Sequence, residues 1–293
     1  MKTKLLITGL TLLALSTLNS QLSTAYAQGS LTPPGQPAPT MKSADQIEPR
    51  TIVNAVNTPG DSWNTFVIRQ PGSYYLITNL MVNSQSSVIA IATSDVTLDL
   101  NGFTISYSIP NPGTVGIALA SGVSDITIIN GHINCGNGVV GIGSGVTYNN
   151  NPPTNVVISK VSVSGAAFDG INLGTGNATV VQDCTVTTAG GQGIVASIIK
   201  NSVATGCASN AIYGDTVSDC RGISTDAGYG VYASATAQNC YGQSNSGTGL
   251  QASIAIGCVG SSTSGIGLQA TIANSCIIAH GTTNVTYHCN MPW

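Results

Sequence analysis

Carboxylates grouped with a cation can hold a divalent metal or move protons, and this chain brings Asp215, Asp219, Arg221 and Asp226 close together in sequence. A lone arginine among acids is equally the composition of a solvated surface ion pair. From Gly116 onward the other ionisable residues of this kind are Asp125, Asp169 and Asp183, with Lys160 and Lys200. Of the 3 histidines, His132 sits between Gly131 and Ile133 and reads as a turn or wall residue. His280 and His288 lie near the C-terminus, and none of the three has a partner at catalytic spacing. The 8 cysteines all follow residue 130. They could form disulfides, pack as buried thiols or bind metal, and the choice depends on how the chain stacks them.

The elements that must position these residues are written in an internal repeat. A small residue followed by a branched aliphatic recurs at Gly116-Ile117, Gly141-Ile142, Gly170-Ile171, Gly193-Ile194, Ala211-Ile212, Gly230-Val231, Gly249-Leu250 and Gly267-Leu268, with a fainter turn at Ser87-Val88. A second column keeps step at Gly102, Gly131, Val161, Cys184, Ser202, Cys220, Cys240, Cys258 and Cys276, its last six members 18, 18, 20, 18 and 18 residues apart. Asn101, Asn130, Asp183, Asn201, Asp219 and Asn239 each stand just before it, residues that tolerate tight turns. Short β-branched runs such as Val96-Thr-Leu-Asp-Leu100 and Ile126-Thr-Ile-Ile129 lie between the columns, and no stretch of helical period separates them. Short strands, glycine turns and a period near twenty predict an all-β parallel solenoid of about nine coils, on the order of 40 Å long at ~4.8 Å per coil.

The segment Gln70-Pro-Gly-Ser-Tyr-Tyr-Leu76, the run Asp95-Val-Thr-Leu-Asp-Leu-Asn-Gly-Phe-Thr-Ile105 and the later Gly-Ile … Cys coils resemble bacterial secreted right-handed parallel β-helix repeat proteins, which share the pectate-lyase fold. The likeness spans residues 43 to 280. It implies a single-stranded right-handed β-helix, although coils of eighteen are short for that hand; the aliphatics do not recur at the strict intervals of six of the left-handed type. Relatives that cleave uronic-acid polymers use several acids for calcium or proton transfer and an Arg or Lys at the sugar. Here Arg221 with Asp215, Asp219 and Asp226 is the weak candidate for such a lyase site. The Asp-x-Asp, Asp-Asp, Gly-His-Gly and Arg-x-Lys set of polygalacturonase-like hydrolases is missing. Asp183 and Asp219 fall in the turn column, where carboxylates on Asp183, Asn201, Asp219 spacing lie ~9.6 Å apart, too far to share one calcium.

Stacking also constrains the cysteines. Cys220, Cys240, Cys258 and Cys276 fall on consecutive coils, close enough for vertical disulfides or for a ladder of thiols, whereas Cys184 and Cys220 are two coils apart and too far to bond. A straight column does not offer zinc a tetrahedron. Cys276 and Cys289 are a further possible pair, tying down the C-terminal end. No metal or cofactor is expected. The residue after each first-column aliphatic should point outward. That column reads Asn172, Val195, Tyr213, Tyr232, Gln251 and Gln269, with Tyr229 and Tyr241 nearby. Two stacked tyrosines running into two stacked glutamines would make a flat face able to stack on sugar rings and bond hydroxyls, or simply a ladder covering the wall. The outward threonines Thr185, Thr187 and Thr188 do not repeat from coil to coil, as an ice-binding array would need.

Composition bounds the rest. With 8 Lys+Arg, 11 Asp+Glu and only 6% charged residues against about 25% in average domains, the chain lacks the cations to grip nucleic acid, and at 42% hydrophobic content it is too apolar for disorder. Lys2 and Lys4, the apolar run Leu5 to Leu15 and the ending Ala25-Tyr26-Ala27 predict a secretory signal peptide over residues 1–27, too short to span a membrane. Residues 28–60, rich in Pro, Gln, Ser and Thr, read as a linker, residues 61–280 as the β-helix and residues 281–293 as a C-terminal cap. The expectation is a secreted or periplasmic protein with no membrane span after cleavage, acting as a structural, adhesive or polysaccharide-contacting module without its own catalytic machinery. The alternative is a divergent polysaccharide lyase or glycoside hydrolase. Oligomeric state is not legible.

Overall fold

The structure, a computed structural model, describes residues 49–82, 87–107, 114–136, 139–144 and 152–289. The expected leader lies outside the described residues. Among the described residues, twenty-three strands and no helix are found, and the strands form one sheet whose pairings are all parallel. Crossovers between parallel strands wind right-handed, and the chain is a single-stranded right-handed parallel β-helix. The ladder starts at Thr51–Ile52, within the stretch read as linker, and its last strand is Ile277–Cys289.

Each coil contributes to three stacks. In the first, Ile89, Ile117, Ile142, Ile171, Ile194, Ile212, Val231, Leu250 and Leu268 stand in register. This is the aliphatic column expected from sequence, except that its early member is Ile89, one residue beyond Val88. The second stack aligns Leu98, Ile128, Ile158, Val181, Ile199, Val217, Ala237, Ala255 and Ala273 inward. The third aligns Ile105, Ile133, Val163, Val186, Ala204, Gly222, Gly242 and Gly260.

Both inner columns shrink from Leu or Ile to Ala or Gly as the chain proceeds, because the later coils are shorter and enclose less space. By the last coils, opposite walls touch backbone to backbone. A Cβ on Gly222 would fall on the carbonyl of Gly230, one on Gly242 on that of Gly249, and one on Gly260 on that of Gly267. The glycine of each Gly-aliphatic pair thus marks close approach. Its neighbour fills the core, where Ile194, Ile212, Val231, Leu250 and Leu268 are each 0% exposed. Burying such a side chain contributes about 1.5–3 kcal/mol.

Between the second and third stacks the chain turns a corner through a left-handed residue. Asn101, Asn130, Asp183, Asn201, Asp219 and Asn239 all have φ between 46° and 59°. Short polar side chains relieve the Cβ clash of this conformation better than others do. Lys160 (φ 55°) and Ser275 (φ 53°) occupy the same corner without that advantage. The next residue points inward, giving Val161, Cys184, Ser202, Cys220, Cys240, Cys258 and Cys276 in register. The early end of that column shifts: Thr104 pairs with His132, so Phe103 rather than Gly102 stands beside Gly131.

The cysteines Cys135, Cys184, Cys207, Cys220, Cys240, Cys258 and Cys276 are buried free thiols. They behave as small hydrophobes, with Cys220 Sγ donating to Ser218 O at 3.0 Å and Cys240 Sγ to Gln238 O at 3.1 Å. Cys276 is therefore unbonded to Cys289, whose side chain lies outside the described residues, as does that of His288. Burial pushes the thiols of Cys135 and Cys207 up to about 12. A further inner column, Cys207, Ser224, Ser244 and Ser262, ends in buried hydroxyls. Ser244 Oγ shares its one proton between the carbonyls of Gly228 (2.7 Å) and Asp226 (3.0 Å) and accepts from Gly247 N (2.9 Å), locking the turn that returns the chain to the first stack.

Candidate functional site

Outward residues of the first stack stand one coil apart in the order Asn172, Val195, Tyr213, Tyr232, Gln251, Gln269 and Asn284. The alternation of the strand dictates this: Ile212 and Gly214 point in, so Tyr213 and Asp215 point out. Val195 departs from the pattern and is 5% exposed. The segment 173–179 lies along this side of the wall, with Asn177 N donating to Ser197 Oγ at 3.0 Å and Gly176 N to Asp215 Oδ2 at 2.9 Å.

Tyr213 and Tyr232 stack with ring centroids 4.4 Å apart and 8° between planes, and Tyr229 tilts against Tyr232 at 5.1 Å. Rings stacked along the solenoid axis spend their π faces on each other. The flat aromatic platform expected from sequence is therefore turned on edge, and the wall displays ring edges and phenol oxygens. Burial, and then the neighbouring Tyr232, raise the Tyr213 phenol above its ordinary pKa. Gln251 stands one coil beyond Tyr232 in the same outward column.

That step from a tall side chain to shorter ones opens a cleft of about 240 Å³. Tyr232 lines one end. Two polar rows run along it in register: amides at Gln251, Gln269 and Asn284, and hydroxyls at Ser234, Ser253, Thr271 and Thr286. The floor is Ala233, Ala252 and Ala270. Ser234 Oγ donates to Asp215 Oδ1 at 2.9 Å and Ser253 Oγ to Ser234 O at 2.7 Å. The side chains of Gln251, Gln269 and Thr271 make no hydrogen bond among the described residues, so their donors and acceptors are unspent. Ile254 and Ile272, in register on the adjoining second stack, are 38% and 37% exposed and form an apolar shoulder beside the rows. The cleft holds no Lys, Arg, Asp or Glu.

The acid and base candidates are distributed differently. Asp215 flanks the tyrosines, with its two oxygens bonded to Gly176 N and Ser234 Oγ. Asp219 occupies the left-handed corner and accepts from Asn239 Nδ2 at 3.1 Å. Beyond that corner Arg221 opens a strand of the third stack, where its guanidinium lies 5.5 Å from the Tyr241 ring centroid and, among the described residues, forms no ion pair. Asp226 is exposed in the following turn. The corner thus sends Asp215 and Arg221 out from different walls. His132 is a wall residue whose Nδ1 lies 2.7 Å from Ser162 Oγ, its in-register neighbour. Among the described residues no group of three His, Cys, Asp or Glu side chains could hold a metal ion, and no helix is long and apolar enough to cross a membrane.

No protein-family profile matches the sequence, and no curated protein matches it. Among solved structures, the chain is similar to the A-module of a mannuronan C-5 epimerase from Azotobacter vinelandii, at 14% identity and a TM-score of 0.40, over 76% of this chain and 89% of that one.

Proposed function

We propose that this is an exported β-helix that binds a polysaccharide through the wall carrying Tyr213, Tyr232, Gln251 and Gln269, without cutting it. One observation carries the reading: a cleft ended by an aromatic ring and lined by amides and hydroxyls, of which the side chains of Gln251, Gln269 and Thr271 have no protein hydrogen-bond partner among the described residues. Unspent donors and acceptors at a surface are ordinary one at a time. Here Gln251 and Gln269 repeat on successive coils beside a row of hydroxyls, as a polymer with repeated hydroxyls would need. The leader-like residues 1–27 supply the route out of the cytoplasm, where such polymers are met. Support for binding over cleavage comes from the acids and the base: Asp215 and Asp219 are engaged in structural hydrogen bonds, and Arg221 lies beyond a corner from Asp215.

The test is retention of the purified exported chain on neutral and uronate polymers, with absorbance at 232 nm and reducing ends followed in parallel. Retention that weakens in Tyr232→Ala, with neither unsaturated products nor new reducing ends, is the expected result. New ends or unsaturated products would replace the binding reading with a catalytic one. Absence of retention on every polymer would leave a structural rod.

A further inference from the structure

We infer that the ligand is a neutral, extended polysaccharide lying parallel to the solenoid axis with one sugar unit per coil. This rests on the glycan-binding reading above and specifies its ligand class. Three features of the cleft lead to it.

The first is charge. A uronate polymer carries one carboxylate per unit and is recognised through Arg or Lys, by charge-assisted hydrogen bonds that are markedly stronger than neutral ones. The cleft offers none, and the Asp215 carboxylate accepts from Ser234 of the lining. An anionic chain would lose hydration here without gaining a cation and would meet a like charge at the tyrosine end. Amides and hydroxyls each combine donor and acceptor, which suits sugar hydroxyls.

The second is period. In-register parallel strands repeat every ~4.8 Å, close to the advance per unit of an extended β-1,4-linked pyranose chain. Gln251, Gln269 and Asn284 therefore meet one unit per coil, as do Ser253, Thr271 and Thr286; neighbouring units of such a chain are turned over relative to each other, and amides and hydroxyls, each both donor and acceptor, can bond either edge. A polymer crossing the axis would meet each row once and leave the other positions unused. The third is the shoulder. Ile254 and Ile272 give the C–H face of a pyranose ring an apolar surface beside the hydrogen-bonding rows, on the same coils as Gln251 and Gln269. Tyr232, which lines the other end, meets the terminal unit.

The experiment is calorimetric titration of the exported chain with cello-oligosaccharides and β-1,4-manno-oligosaccharides of two to eight units, and with oligomannuronates and oligogalacturonates of the same lengths, at low and high salt. Neutral oligomers should gain affinity with each unit up to about four, the number of coils that line the cleft, and then level off; salt should change binding less than about twofold. Gln251→Ala and Gln269→Ala should each weaken it by about threefold to tenfold. Gln251→Tyr, which extends the aromatic stack by one coil, should shift the plateau to about three units while the protein stays folded. Tighter, salt-sensitive binding of uronates, or affinity independent of length, overturns the neutral axial ligand and leaves glycan binding intact. No binding of any oligomer, together with no retention on any polymer, overturns both.

Discussion

Replacing Gly230 by alanine adds one methyl group where two walls of the solenoid meet. Its Cβ would fall on the backbone nitrogen of Gln243 and lie 2.6 Å from the carbonyl oxygens of Gln243 and Gly249. These are backbone atoms of two separate segments, the Gln243 strand and the Gly249 turn, so no side-chain rotation can relieve the contact and the walls must separate. Overpacking of this kind costs about 1–3 kcal/mol. The separation also stretches the inter-coil bonds from Gly230 N to Thr248 O (3.1 Å) and from Val231 N to Gly249 O (2.9 Å), each contributing about 1 kcal/mol. The sum, about 3–5 kcal/mol, is a large share of the 5–15 kcal/mol typical of a folded domain. At about 2–4 °C per kcal/mol for a chain of this size, the thermal midpoint followed by circular dichroism should fall by roughly 6–20 °C. Gly143→Ala is the control, because the nearest atom to its new Cβ is a side-chain methyl of Val140 at 3.1 Å. A Gly230→Ala protein melting within about 2 °C of the parent would refute the claim that this column is glycine because the walls touch.

Lys160→Asn should raise the thermal midpoint, by about 0.5–1 kcal/mol of stability, since Lys160 holds a left-handed corner that other coils give to Asn or Asp; a lower midpoint would sink the corner argument. Ser244→Ala removes one donated bond and one accepted bond from a fully buried turn and should cost about 1–3 kcal/mol in a urea titration, whereas Thr263→Ala, at an exposed position, should be silent. Stability should also fall at alkaline pH. The folded state raises the Cys135 and Cys207 thiols from 9.0 to about 12, so it binds those protons more tightly than the unfolded chain. Their contribution is whole below pH 9 and is lost as pH rises toward 12; a double Cys135→Ala, Cys207→Ala variant should show a shallower decline in urea midpoints between pH 8 and 11, and an unchanged decline would count against it.

Register was the most legible property of this chain, because in a parallel solenoid a sequence spacing is also a spatial one. The Gly-aliphatic pairs from Gly116-Ile117 to Gly267-Leu268 and the corner residues from Asn101 to Asn239 stack in the order their spacing implies. Legibility failed where a residue's meaning depends on the opposite wall. Gly222, Gly242 and Gly260 look like loose turn residues in sequence; they are inner positions pressed against the first stack. The buried serines Ser224, Ser244 and Ser262 read as surface until the turn they bind is seen. Lys160 and Ser275 hide the corner column because their type says nothing of the backbone they adopt. At the candidate site, the sequence named Tyr213, Tyr232, Gln251 and Gln269 through outward alternation but could not orient the rings. Nor could it find the second row, Ser234, Ser253, Thr271 and Thr286, whose register with the first depends on bulges near Gly214 and Ala233.

A perfect repeat would make a featureless wall. If every coil carried the same outward residue, each side chain would be covered by its neighbours above and below and no concavity could form. The cleft exists because the outward column changes from tyrosine to glutamine between Tyr232 and Gln251 while the floor stays alanine at Ala233, Ala252 and Ala270. The height lost at that step becomes the depth of the cleft, and Tyr232 becomes its end. The inner columns change composition as well, from Ile to Ala and Gly, but that taper brings the walls of the later coils together. In a solenoid, a break in an outward column over an unbroken floor is therefore the sequence signal of a cleft. This chain has such a break between its two stacked tyrosines and its two unpaired glutamines.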